Sequence, residues 1–209
     1  MVFKKKRRFT EKQNRLFLKK YQLKDGKPGK GTTDYNGYQP TPIHLCKRLA
    51  DSGVLSKESS ILDIGCGSGI FVCYLLSKNY RNIDGIEIDH DLYLDAVENV
   101  VNVVKKDHLD AKTKIHKGDF FDFDGIDNYD VFYIFNSFNS EETYCRFFNR
   151  ILKSVRSNKR KIKIVFLYVN AIARKALLKQ DWLKRTKVIH DDAQYCNLCI
   201  KFTVYENII

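Results

Sequence analysis

The sequence has no long apolar run. Runs such as Ile164 to Val169 fall far short of the ~20 residues that a helix needs to cross a bilayer, so no membrane partner is expected. An apolar stretch is also missing behind the basic start. Lys4 to Arg8 is followed by Phe9-Thr10-Glu11-Lys12-Gln13, which argues against a secretory signal. The six cysteines (Cys46, Cys66, Cys73, Cys145, Cys196, Cys199) lack a disulfide-like pattern and mostly sit in apolar runs, as small hydrophobes do. A reduced, cytoplasmic protein is the expectation. Cys196-Asn197-Leu198-Cys199 is a single C-x-x-C with only His190 nearby, whereas zinc needs about four ligands, so no metal is expected. Internal repeats and a G-x-x-x-x-G-K phosphate loop are absent as well.

What is present suits one domain with a short appendage. The 209 residues are 44% hydrophobic and 13% aromatic, which excludes disorder along the whole length. A chain of this size buries roughly 70% of its unfolded surface without disulfides. The net charge of +12 is unevenly spread. Residues 1–30 carry 12 Lys/Arg against 2 Asp/Glu, residues 31–145 carry 10 against 19, and residues 146–190 carry 14 against 1. An acidic middle between two basic segments can mark a polyanionic partner such as nucleic acid; a solvated basic surface is the plain alternative.

Residues 10–22 are predicted to form a short helix capped at Thr10. The Gly- and Lys-rich stretch Lys24 to Thr33 then reads as a loop, giving a basic arm and linker over 1–33 and a main domain over 34–209. Thr41-Pro42 is expected to open a helix, with Thr as N-cap and Gly53 as its stop. From Ser60 strands and helices alternate. The predicted strands are Ile61–Ile64, Ile83–Ile88, Lys114–His116, Val131–Phe135 and Ile162–Val169. The helices are Ile70–Lys78, Asp91–Val104 and Glu141–Val155. In the second of these, Leu92, Leu94, Ala96, Val97, Val100, Val101 and Val104 are assigned to the inner side. After a further helix, Ala171–Lys179, two alternating strands, Lys184–His190 and Cys199–Tyr205, flank a polar turn at His190–Gln194. The expected fold is α/β: a doubly wound, mostly parallel, Rossmann-like sheet of seven strands with an antiparallel C-terminal pair.

The most informative stretch is Ile61-Leu62-Asp63-Ile64-Gly65-Cys66-Gly67-Ser68-Gly69-Ile70. Three alternate glycines follow a strand and precede a helix, so a ligand can lie against bare main chain at the strand end. Nicotinamide-binding folds space their glycines as G-x-G-x-x-G, and Ile70 breaks that pattern. Two acidic positions follow. Glu87 ends the second strand beside Ile88, where a carboxylate can accept both hydroxyls of a ribose. Asp119 follows the third strand, placed to accept from an exocyclic amine with Phe120 beside the base.

The segments Asp63-Ile-Gly-Cys-Gly-Ser-Gly69, Gly85-Ile-Glu-Ile-Asp89 and Gly118-Asp119-Phe120, in that order, resemble the first three motifs of the class I S-adenosylmethionine-dependent methyltransferases. The resemblance spans about residues 36–170 and implies S-adenosyl-L-methionine as cofactor. By it, Asp63, Gly65, Cys66, Gly67 and Gly69 lie along the methionine part, Glu87 and Ile88 at the ribose, and Asp119 with Phe120 at the adenine. Tyr38-Gln39-Pro40-Thr41-Pro42 is similar to a Tyr-x-Pro-Thr/Ser-Pro segment of seven-strand protein-lysine methyltransferases and their bacterial relatives. This implies cofactor contacts from Tyr38, Gln39 and Thr41.

The fourth strand runs into Asn136-Ser137-Phe138, which in this family borders the transferable methyl group. Nucleobase amino-methyltransferases often carry Asn-Pro-Pro-aromatic or Asp-Pro-Pro-aromatic there, and both prolines are missing here. Asn-x-Phe is closer to the protein-lysine methyltransferases. Asn136 and Phe138 are therefore the expected catalytic residues, with Asn136 also beside the cofactor and Phe138 packing on the acceptor. His44 and His116 are candidate bases that read equally well as structural. The resemblance implies methyl transfer to an amine of a protein or other macromolecule. Two alternatives stand beside it: an RNA or DNA methyltransferase that binds through 1–30 and 146–190, and a regulator that binds the cofactor without catalysis.

Overall fold

The computed structural model describes residues 2–27, 31–191 and 200–209. Its strands are β1 (Ile61–Ile64), β2 (Ile83–Glu87), β3 (Ile115–Lys117), β4 (Val131–Phe135), β5 (Lys163–Leu167), β6 (Leu183–His190) and β7 (Lys201–Asn207). They form one sheet in the order β3-β2-β1-β4-β5-β7-β6. β1 to β5 run parallel, and β7 runs antiparallel to both β5 and β6. The expected mostly parallel sheet with an antiparallel edge pair is therefore what the chain builds. The Cys196–Cys199 pair and most of the His190–Gln194 turn lie outside the described residues.

The helices are α1 (Val2–Tyr21), α2 (Ile43–Asp51), α3 (Ile70–Leu76), α4 (His90–Lys106), α5 (Glu141–Ser157) and α6 (Ala171–Leu177). Side-chain alternation along the central strands divides the core between the two faces of the sheet. Ile61 and Tyr133 join Leu45, Leu49, Phe71 and Leu75 in the α2–α3–α4 layer. Leu62, Ile64, Phe132 and Ile134 join Phe147, Phe148 and Ile151 in the α5–α6 layer. Each such side chain, fully buried, contributes roughly 1.5–3 kcal/mol. Asp89, Ser140 and Asn170 cap α4, α5 and α6, each side chain accepting from backbone N–H groups of the first turn.

Three local expectations are corrected. Thr10 caps nothing: α1 already starts at Val2, and Thr10 is buried within it. Thr41 is not an N-cap either. Its hydroxyl pairs with the Tyr133 hydroxyl at 2.8 Å, and Pro42 stands at the cap position, with its carbonyl accepting from Leu45 and Cys46 N–H. On α4, Leu94 and Val101 are 49% and 40% exposed, and Asn99 takes an inner position instead. The stretch of apolar residues on α4 exceeds the width of the face that the sheet covers, so part of it is left outside.

Asn99 fixes the segment that leaves α1. Its amide donates to the carbonyls of Lys24 and Ser68, each at 2.8 Å, and its oxygen accepts from Lys24 N at 2.8 Å. Tyr21 donates to Asp107 at 2.6 Å beside it. One buried carboxamide thus ties the N-terminal segment, α4 and the turn after β1 together. Asn99→Ala should cost on the order of 2 kcal/mol in urea unfolding, since one buried and two part-buried backbone groups lose their partner. A loss below ~0.5 kcal/mol, the level of a surface substitution, would refute this role.

The chain leaves β1 toward β2 and β3 on one side and later returns to β4 and β5 on the other. That reversal lies between β1 and β4, and open sheets of this kind hold ligands at the carboxyl ends of the strands on either side of it.

Candidate functional site

A cavity of about 280 Å³ opens at that reversal. Its walls are the ends of four strands: Ile64 and Gly65 after β1, Ile86 to Asp89 after β2, Gly118 to Phe120 after β3, and Phe135 to Phe138 after β4. Leu92 of α4 adds an apolar wall, and residues from 31 to 39 form the roof. The roof is fastened to the end of β4 by backbone and side-chain bonds. Tyr35 bridges to Phe138, and Asn36 N–H donates to the Ser137 carbonyl at 3.3 Å. The Asn36 amide donates to the Phe138 carbonyl at 2.8 Å and to Asn136 Oδ1 at 3.2 Å.

The glycine turn shapes one end of this space. Gly65 and Gly67 take φ of +69° and +56°, which side chains rarely adopt. A Cβ on Gly65 would lie 3.0 Å from Ser137 Oγ, and that hydroxyl donates to the Ile64 carbonyl at 2.6 Å. A Cβ on Gly67 would collide with the ring of Tyr38, whose hydroxyl pairs with Ser68 Oγ at 2.6 Å. Tyr38 therefore covers Gly67, and of the three glycines only Gly65 borders the cavity. Gly69 serves helix packing, since its Cβ would meet Ala96 of α4 at 3.1 Å.

Three carboxylates were expected at the strand ends, and each has a different state. Glu87 is buried and accepts from Gly67 N–H at 2.7 Å and Asp89 N–H at 2.8 Å. Burial pushes its carboxyl up, and these N–H donors offset part of the rise. Its two oxygens keep further lone pairs for hydroxyl donors from the cavity. Asp119 accepts from Phe121 N–H at 2.8 Å and from the Tyr35 hydroxyl at 2.5 Å, so a roof residue holds it in this state. Asp63 is only 4% exposed and has no hydrogen bond or ion pair to any described residue. Burial first, and the charge of Glu87 second, raise its pKa well above the ordinary value. It borders a small void that shares Gln39, Gly65 and Phe135 with the main cavity.

The remaining expected residues divide. Ile88, 47% exposed, presents apolar surface at the cavity beside Glu87, and Gln39 and Phe120 line it as well. Asn136 stands at the end of β4 with φ +53°, a left-handed backbone that Asn tolerates better than most residues. Cys66 turns into the core, where its sulfur would meet a Cβ on Gly85 at 2.7 Å. Thr41 is engaged with Tyr133 and reaches only the small void. Phe138 is 1% exposed and packed among Tyr35, Phe121, Tyr144 and Phe147, and it lines the inner wall of the cavity. His44 lies 3.4 Å from Asp191, and His116 packs on Phe123 with Nε2 3.6 Å from Asp84; neither borders the cavity. Among the described residues, no cluster of three or more His, Cys, Asp or Glu is placed to hold a metal ion.

Sequence reasoning gave no role to Asn36, Ser137 or Asn99. Their work is done by backbone bonds to distant segments, and no local spacing announces it. Tyr35 was visible as part of the aromatic stretch before Pro40, but its pairing with Asp119 needed the fold.

Strand order, the glycine turn and the acidic residues of β1 and β2 make a seven-strand, Rossmann-like fold, and the solved structures it superposes on include methyltransferases. An RNA methyltransferase from Salinibacter ruber, solved with S-adenosyl-L-homocysteine, superposes with a TM-score of 0.55 at 18% identity over 80% of this chain and 92% of that one. The tRNA (uracil-54, C5)-methyltransferase of Pyrococcus abyssi gives 0.53 at 14% identity, over 82% and 40%. In sequence, residues 48–128 match the family model "Methionine biosynthesis protein MetW". A protein-lysine N-methyltransferase of Saccharolobus islandicus is 28% identical over 88 residues, 42% of this chain and 52% of that protein. The match thus spans about half of that curated relative's length.

The unpartnered state of Asp63 has a measurable effect. A carboxyl whose folded pKa lies above its unfolded value destabilises the fold at pH above the unfolded pKa, and the effect vanishes below it. Asp63→Asn should therefore raise the stability of the ligand-free protein at pH 7 by about 1 kcal/mol, or about 2–4 °C in Tm for this chain length. The gain should close as pH falls below the ordinary carboxyl value of 3.8. A lower melting temperature for the variant at neutral pH would contradict the assignment.

Proposed function

We propose that this chain is an S-adenosyl-L-methionine-dependent methyltransferase acting on an amine of a protein. The observation that carries the reading is the buried, unpartnered Asp63 beside the bare main chain of Gly65 and within reach of the charge of Glu87. A ligand suited to this space is cationic at the Asp63 end, offers hydroxyl groups to Glu87 and lays a flat apolar group against Ile88, Leu92 and Phe120. Adenosylmethionine has these features in that order. The size of the cavity, about 280 Å³, is close to the lower bound of roughly 300 Å³ for small-molecule sites.

In this reading Asp63 faces the positive end of the cofactor, Glu87 takes the ribose hydroxyls, and Asp119 with Phe120 borders the adenine. Gln39 and Tyr38 close the methionine end from above. When bound, the cofactor supplies a methyl group already activated on a sulfonium, so no residue has to activate it. The chain's own task is to hold an acceptor nitrogen in line and to exclude water. The carboxamide oxygen of Asn136, held by one bond of 3.2 Å from Asn36, is placed to accept from the incoming amine and aim its lone pair. None of the five histidines in the sequence borders the cavity, so the amine enters deprotonated and its proton goes to solvent. Support for a protein amine comes from the Asn136-x-Phe138 pattern and from the relative named a protein-lysine N-methyltransferase. Buried free thiols at Cys46, Cys66 and Cys73 support a reduced, cytoplasmic setting.

A second reading, methylation of RNA, is favoured by the 14 Lys/Arg against one acidic residue in 146–190. Arg146 stands over the Phe121 ring, 4.2 Å from its centre and next to the residues that line the cavity. Binding through such a surface would weaken steeply with salt. Incubating the protein with tritiated cofactor and cell lysate, then treating fractions with protease or nuclease, separates the readings. Protease-sensitive label supports the first and nuclease-sensitive label the second; no label in any fraction leaves a cofactor-binding regulator.

Two substitutions test the site itself. Asp63→Ala or Glu87→Ala should weaken cofactor binding in calorimetry by at least ~1–3 kcal/mol, as ligand groups lose their buried partner. Asn136→Ala should leave that affinity intact and lower turnover. Wild-type affinity in the first pair, or a wild-type rate in the last, would remove those residues from their roles.

A further inference from the structure

The apolar residues that α4 leaves outside are not scattered. Leu94, Val97, Val101 and Val104 follow one another at intervals of three, four and three residues. Leu94 and Val101 are exposed, Val97 is half-buried, and Val104 is half-buried with part of its side chain packed against the chain's own core. This 3-4-3 spacing is that of a helix seam which packs against another helix. His90 continues the row by four residues at the N-terminal end and is exposed. The opposite side of α4 is already satisfied: Ala96, Val100 and Val103 join the core, Leu92 walls the cavity, and Asn99 holds Lys24 and Ser68.

Charges beside the seam indicate the partner. Asp91, Glu98 and Lys105 are spaced seven apart and lie along one flank. Two copies of α4 set antiparallel about a two-fold axis near Glu98 bring Asp91 of each copy opposite Lys105 of the other. The two Glu98 side chains then meet near the axis, and each already has its own counter-charge, Lys24 at 2.7 Å. An antiparallel pair also sets the positive end of each helix dipole beside the negative end of its neighbour. A parallel pair would set Asp91 against Asp91 and Lys105 against Lys105.

We propose that the outer face of α4 is the two-fold interface of a homodimer, with Leu94, Val97, Val101 and Val104 of one copy interleaving with those of the other. Such an interface is self-complementary, as a two-fold axis requires. A seam of four residues a side is smaller than the interfaces of obligate dimers, so the association is concentration-dependent. It is independent of the catalytic reading, because none of the four seam residues lines the cavity.

Sedimentation equilibrium of the full chain over a range of concentrations tests it. The expected result is a mass that rises toward twice the monomer's 24.5 kDa for the wild type. Val101→Glu should give monomer mass throughout, with an unchanged melting curve because Val101 is exposed. Asp91→Lys and Lys105→Asp should each weaken the dimer, and the two together should restore it. A wild-type chain that stays monomeric overturns the proposal. So does a dimer that survives Val101→Glu, or a double charge swap that fails to recover association.

Discussion

Two carboxyl groups enclosed without a cation are the constraint around which this molecule is arranged. Asp63 stands one residue before the end of the central strand, Glu87 ends the next, and both are buried. Their mutual repulsion adds to the cost of burial. Glu87 tolerates this because main-chain N–H groups of Gly67 and Asp89 approach it. Asp63 has no such help. Destabilised groups of this kind cluster at functional sites, which is why the proposed reading sets Asp63 at the charged end of the cofactor.

The surrounding architecture serves the same end. Reversal of strand order between β1 and β4 opens the crevice, and short side chains at 65 and 137 let the two strand ends approach each other. Above it, residues 31–39 lie as an ordered cover, tied through Asn36 to Ser137 and Phe138. Phe138 anchors that cover from below: its ring is buried among other aromatics, while its carbonyl accepts from Asn36. One residue thus joins the core of the α5–α6 layer to the roof of the site. The opposite anchor is Asn99, which holds the chain just before the roof begins.

Much of the fold was legible because its signals are local. Alternating strand and helix periodicity placed the strands of the sheet to within a turn, and three alternate glycines marked the end of β1. The helix α4 misled because its apolar residues surround more of the helix than the sheet covers, so Leu94 and Val101 could not be told from Val100 and Val103 by spacing. Thr41 and Thr10 were read as caps from residue type alone, and burial against Tyr133 or within α1 overrode the propensity. In the site, the acidic strand ends were visible since charge at the end of an apolar strand is conspicuous. The roles of Asn36, Ser137 and Asn99 were not, since each depends on a contact between residues far apart in the chain.

The distance along the chain between cover and crevice has a consequence for how the protein is made. Asn36 and the carbonyl it grips are 102 residues apart. At ribosomal speeds of about 5–20 residues per second, the cover emerges roughly 5–20 s before its anchorage exists. Within that interval Ser68, the partner of Tyr38, emerges after 30 residues, while Asp119, the partner of Tyr35, follows only after 84. Fastening of the cover is therefore a late event in synthesis, complete only after β4 has joined the growing sheet.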